Sequence, residues 1–136
     1  MRIALDTNVL ISAYTARGLS ADVFRLILAE HDLVISDVVL VEFERILKTK
    51  FGIPAHHVDE FVEELSLHEV FETPPKVQGF EYIRDPDDRF VVAGAEIGNA
   101  ATLVTGDKDI LDVRDQLSGI VVQTPREFWE SIRSRS

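Results

Sequence analysis

Four carboxylates in this 136-residue chain stand where a soluble protein rarely leaves an acid without a partner. Asp6 closes the apolar run Ile3-Ala4-Leu5, and Glu42 interrupts Val39-Leu40-Val41 just before Phe43. Asp88 ends the segment Asp85-Pro86-Asp87-Asp88, and Asp107 follows Leu103-Val104-Thr105-Gly106. Gathered into one cleft, four such groups would lose hydration and repel one another. A doubly charged cation removes both penalties, and an all-oxygen donor set favours Mg²⁺ or Mn²⁺ over zinc. A site of that kind neutralises phosphate oxygens and acidifies water, which is the chemistry of phosphodiester hydrolysis.

Each acid also has a plainer reading when taken alone. Asp6 and Asp107 have the setting of turn or cap residues. Asp88 lies in an Asp-Pro helix start that favours acids in its first turn. Glu42 is one helical turn from Arg45, which could neutralise it. On a helical wheel, however, Glu42 falls at the margin of a buried stripe. Asp88 shares a face with Val91, Val92 and Ala95, whereas Asp87 does not. It is the combination that points to a metal.

The elements that must position these acids follow from hydrophobic period. Strands are expected at Ile3 to Leu5, Asp32 to Ile35, Glu69 to Phe71, Leu103 to Thr105 and Ile120 to Val122. Helices are expected from Leu19 to His31, from a Ser36 cap to near Gly52, from Pro54 to about His68, and from Asp85-Pro86 onward. A short helix is expected around Asp109 to Asp115. Thr124-Pro125-Arg126-Glu127 is a capping box that opens a terminal helix with Phe128, Trp129 and Ile132. The segment from Thr73 to Phe80, with Pro74, Pro75 and Gly79, reads as a surface loop. Strands alternating with helices indicate an α/β domain with a parallel sheet. Ligands collect at the carboxyl ends of such strands, where Asp6 and Asp107 are found.

Composition narrows the class. The length fits a single domain over residues 1–136, with a frayed tail beyond residue 133. With 46% hydrophobic and 28% charged residues, the chain has an ordinary globular composition. There is no cysteine, which excludes disulfides and thiolate chemistry and agrees with a cytoplasmic location. No apolar run approaches the ~18 residues that would span a membrane. Asp6 and Asn8 break the first apolar stretch before it could serve as a signal peptide. A net charge of −10 runs against tight, metal-free binding of nucleic acid. It suits an enzyme that grips phosphate through cations, or one held by a basic protein partner.

In this order, the segments Leu5-Asp6-Thr7-Asn8-Val9-Leu10-Ile11-Ser12-Ala13, Ser36 through Leu47, Asp85 through Phe90, Leu103 through Asp109 and Thr124 through Phe128 carry a resemblance. They resemble the PIN-domain family of metal-dependent ribonucleases, most nearly the VapC-like toxin components of toxin–antitoxin systems. The resemblance implies a three-layer α/β/α sandwich around a parallel sheet of four or five strands. It implies that Asp6, Glu42, Asp88 and Asp107 form the metal pocket for Mg²⁺ or Mn²⁺ and carry the catalysis. Asp109 would be an auxiliary acid, and Thr7, Asn8 and Thr105 would orient ligands or water. RNA would be the substrate, an antitoxin the silencing partner, and a helix-packed homodimer the assembly. Arg84, Arg89 and Lys108 flank the motifs and are candidates to hold the RNA backbone, against the plainer role of solvated surface charge.

Other readings compete. A non-catalytic PIN module that binds protein or RNA would keep the fold without the reaction. Haloacid-type phosphatases would want an aspartate where Asn8 stands, and receiver domains an acid pair where Asp6 is alone. His56-His57 with Asp59 and Glu60 is too short a stretch for a full zinc shell. Glu60, Glu63, Glu64, Glu69 and Glu72 read as a solvated acidic face that could also dock a basic partner. Phe128 and Trp129 read as core or dimer packing, and Tyr14 and Arg17 lie close enough to the first motif to touch RNA.

Overall fold

The structure, a computed structural model, describes residues 1–134; the end of the tail expected beyond residue 133 lies outside the described residues. Five strands form one sheet: β1 (Arg2–Leu5), β2 (Asp32–Ser36), β3 (Glu69–Phe71), β4 (Thr102–Val104) and β5 (Val121–Gln123). The order across the sheet is β3-β2-β1-β4-β5, with every neighbouring pair parallel. β1, β2 and β4 read as continuous apolar runs because helices cover both faces. The observed architecture is therefore the expected α/β/α sandwich, with five strands.

The helices are α1 (Thr7–Thr15), α2 (Leu19–Glu30), α3 (Asp37–Thr49), α4 (Ala55–Leu65), α5 (Pro86–Ile97), α6 (Lys108–Leu111) and α7 (Pro125–Arg133). Helix α1 is not among the expected helices, and α4 ends about one turn earlier than its period suggests. The short helix expected around Asp109 to Asp115 is two elements, α6 and a separate 3₁₀ turn at Arg114–Gln116. Other local signals hold in detail. Ser36 caps α3 by accepting from the Val39 amide at 3.2 Å, and α3 buries Val39, Phe43, Ile46 and Leu47 as its period predicts. The capping box of α7 forms in full.

One core cluster runs through the sandwich, with Ile3, Val23, Ile27, Phe43, Leu47, Leu103 and Phe128 inaccessible to solvent. Helix α5 lies very close to the sheet because two glycines one turn apart face it. A methyl group on Gly94 would sit 2.6 Å from the Ser36 Cβ, and one on Gly98 2.5 Å from a Val34 methyl. Real Cβ atoms do not approach so closely, so these positions admit only hydrogen. Among the described residues, no helix is long and apolar enough to cross a membrane.

Candidate metal centre

The sheet reverses its winding between β1 and β4, and a crevice forms there at the carboxyl ends of the strands. Asp6 is the first residue past β1. Its amide donates to the Val104 carbonyl at 3.0 Å, so the backbone is held one step beyond the strand. Its side chain is almost fully buried, at 4% exposure. One carboxylate oxygen accepts from the Thr7 amide at 2.7 Å and caps α1; the other accepts from the Thr105 hydroxyl at 2.6 Å. The Thr105 Oγ1 also accepts from the Asp107 amide at 3.0 Å. One buried hydroxyl thus ties the acid after β1 to the turn that carries the acid after β4. Asp107 is half-buried and caps α6 by accepting from the Asp109 amide at 2.8 Å.

Asp88 reaches the crevice from the first turn of α5. It is 8% exposed, while Asp87 beside it faces solvent. Its Oδ2 is buried with no hydrogen-bond partner. Burial first, then the charges of Asp107, Asp85 and Asp6, raise its pKa to about 7. Asp6 is raised as well, chiefly by burial, against the opposing hydrogen bonds from Thr105 and Thr7; Asp107 and Glu42 add repulsion. Glu42 enters from α3, half-buried. The ion pair with Arg45 that would have explained it does not form, and among the described residues none of the four acids has a cation within salt-bridge distance.

The four acids singled out by sequence come from four separate elements and are linked by repulsion, Asp6 with Glu42, Asp88 and Asp107, and Asp88 with Asp107. The structure adds a neighbour that the sequence did not suggest. Asp85, Asp88 and Asp109 each present a ligand atom within 4.8 Å of the others. Asp85 reads locally as nothing more than the cap of α5, a role it also fills by accepting from the Asp87 amide at 2.9 Å. Only the docking of α5 beside α6 brings it next to Asp109, so sequence spacing carries no signal of it.

The remaining candidates separate by what they touch. Thr7 is buried and its Oγ1 has no partner, whereas Asn8 is exposed. Arg84 pairs with Asp109 at the rim of the crevice. Arg89 donates to the carbonyls of Ile83 at 2.8 Å and Glu81 at 3.3 Å, and Lys108 pairs with Asp112 at 3.2 Å. His56 and His57 are exposed and stack on each other at 4.1 Å, apart from the acids just described. Glu60, Glu63, Glu64, Glu69 and Glu72 are exposed, with Glu69 paired to Arg2. Tyr14 packs among Phe24, Phe43 and Phe61, and its hydroxyl lies 3.5 Å from Glu64. Phe128 is core, and Trp129 packs against it half-buried.

Similarity to known proteins agrees with this geometry. The fold is similar to that of a toxin–antitoxin complex from Klebsiella pneumoniae, with a TM-score of 0.66 at 21% identity over 90% of this chain and 97% of that one. It is also similar to VapBC2 from Rickettsia felis bound to a promoter DNA fragment, with a TM-score of 0.62 at 18% identity over 91% and 98%. FitAB bound to a DNA fragment gives 0.63 at 19% identity over 90% and 94%. No curated protein matches the sequence. The model of the PIN domain matches residues 2–109, a span that runs from β1 through Asp6, Glu42, Asp88 and Asp107. With the parallel sheet and the acid-lined crevice at its switch point, that match places the chain in the PIN domain family.

Proposed function

We propose that this protein is a divalent-metal-dependent ribonuclease, the toxin component of a toxin–antitoxin system. What supports the reading is the mutual repulsion that links Asp6, Glu42, Asp88 and Asp107, none of which has a cation partner among the described residues. Asp88 adds to it, holding a buried oxygen with no partner. A fold does not leave such groups together for stability.

The donor set fits Mg²⁺ or Mn²⁺, since every available ligand is a hard carboxylate oxygen. Asp6, Asp88 and Asp107 would hold the ion, with Glu42 completing the shell and Asp109 in an auxiliary role beside Asp85. When bound, the cation supplies positive charge for the scissile phosphate and lowers the pKa of water. The chain's own part is positioning. Thr105 fixes the orientation of Asp6 through its hydroxyl and anchors the Asp107 turn through the same atom. Thr7, next to Asp6, has a buried hydroxyl with no hydrogen-bond partner. Arg84, at the rim and exchanging its hold on Asp109 for phosphate, is better placed to meet a backbone than Arg89, whose donors serve carbonyls. Structural neighbours include a toxin–antitoxin complex, which supports a small antitoxin as the silencing partner here.

The test compares RNA cleavage by the full chain and by Asp6→Asn in Mg²⁺, Mn²⁺ and EDTA. Cleavage by the wild type that vanishes in chelator and in the variant is the expected result. Activity that survives in either removes the mechanism. A net charge of −10 favours one second reading, a non-catalytic module that binds a basic protein. In that case Mn²⁺ would leave the melting temperature unchanged.

A further inference from the structure

Beside the acids, between α3 and α5, runs a groove of about 370 Å³. Glu42 lines it and lies near enough to Asp6 to repel its charge, so the groove and the crevice are neighbours. Its apolar surface comes from Val38, Val41 and Phe90. None of these belongs to the core or to the half-buried residues packed against it, and Val41 is 66% exposed. Among the described residues, the Arg45 guanidinium on the same wall has no hydrogen bond or ion pair, and neither has the Asp87 carboxylate. Asp37 uses one oxygen to accept from the amides of Val38 and Thr73, at 2.8 and 3.0 Å. An aromatic ring, two aliphatic side chains and unpaired polar groups of both kinds thus surround one small space next to the proposed reaction centre.

We propose that this groove is a base-recognition subsite that takes the nucleobase next to the scissile phosphate, with guanine preferred. The proposal rests on the nuclease reading above and deepens it by naming what the enzyme reads. A nucleobase is a flat apolar body with a polar edge, and the groove offers both surfaces. Phe90 and Val41 face the ring, because aromatic side chains bind any base by its π-face. Arg45 donates to the carbonyl and ring nitrogen of the base, and Asp87 or the free oxygen of Asp37 accepts from an exocyclic amino group. Guanine and cytosine both present a carbonyl, a ring nitrogen and an amino group, and guanine adds the wider purine face for Phe90; uracil has no amino group to give. The groove is open to solvent, and its volume of about 370 Å³ lies at the small end of ligand sites, which suits one flat base. Because Glu42 belongs to both sites, a nucleotide whose phosphate is held at the acids extends directly into the groove.

Titration calorimetry tests this on the full chain in Mg²⁺, with GMP, AMP, CMP, UMP and the base-free ribose 5-phosphate as probes. GMP is expected to bind best and UMP weakest. Phe90→Leu and Arg45→Ala should each weaken GMP about tenfold while ribose 5-phosphate is held as before. Arg45 is exposed, so its variant reads the subsite even if Phe90→Leu melts early. Four nucleotides bound no better than ribose 5-phosphate, or a ranking not led by GMP, overturns the subsite. So does a wild-type dimer that Val41→Arg splits and that binds no nucleotide, since a second copy then fills the groove. Failure of the nuclease reading looks different: ribose 5-phosphate binding loses its dependence on Mg²⁺, and RNA stays intact.

Discussion

Two helices of this protein begin in the same way and end with opposite electrostatics. Helix α7 opens Thr124-Pro125-Arg126-Glu127, and α5 opens Asp85-Pro86-Asp87-Asp88. In both, a capping side chain precedes a proline, and an acid follows at the third helical position. Glu127 bends back to its own cap, accepting from the Thr124 amide at 2.9 Å, and pairs with Arg114 at 2.8 Å. The Arg114 contact first, then the backbone bond, holds its pKa down to about 2. Asp88 is one methylene shorter, turns inward, and finds burial and three further carboxylates instead, which lift it to about 7. The same local grammar places both acids. What surrounds them decides whether the charge stabilises the fold or waits for a cation.

That contrast can be broken most sharply at Asp6. Asp6→Asn should lower metal-dependent RNA cleavage by at least about a hundredfold and abolish the rise in melting temperature with Mn²⁺. The metal-free fold should be no less stable, because a repelled buried charge has been removed. An Asp6→Asn variant that melts well below the wild type in EDTA would mean that the acid serves the fold. Thr105→Val keeps the shape of the side chain and deletes the hydroxyl between Asp6 and Asp107. About a tenfold weakening of Mn²⁺ in calorimetry is expected, as is usual when a ligand loses its orienting partner.

The α7 side of the comparison should respond in the opposite sense. Glu127→Ala removes a cap bond and an ion pair, and is expected to cost about 1 kcal/mol in urea unfolding. The shift caused by Mn²⁺ should survive it. The smallest effect is a matter of sign. Asp88 holds its proton more tightly folded than unfolded, its pKa rising from 3.8 to about 7. Metal-free stability from this group is therefore present at low pH and is lost as pH rises through about 7. Glu127, lowered from 4.5 to about 2, contributes above its unfolded value and fades as pH falls toward about 2. Melting curves in EDTA should drop by a few degrees between about pH 5 and pH 7.5, and Asp88→Asn should flatten that slope.

The sheet and most helices were legible because apolar period and caps act over a few residues. Helix α1 was not. Its sequence Thr-Asn-Val-Leu-Ile-Ser-Ala-Tyr-Thr is rich in β-branched residues, and it buries Thr7, Val9, Leu10 and Ile11, so no single stripe emerges. It is packing against α2 and α3 that makes it a helix. Asp6 itself carried the missing cap signal, since it closes α1 while facing the crevice. The inward turn of Asp88 and the outward turn of Asp87 followed from helical phase. Asp85 was not legible, nor was the fate of Arg45. Both depend on how α3, α5 and α6 lie against one another, which no local spacing encodes.

Gly94 and Gly98 give the crevice a dependence on something far from its chemistry. They let α5 settle against Ser36 and Val34 with no side chain between them. The depth of that seating sets how far the start of α5 projects over the strand ends. Asp88 thus rides on a helix whose seating is set at residues well along it from the acid. A single added methyl at Gly94 would act as a shim, and the cost would be read in metal affinity as well as in folding.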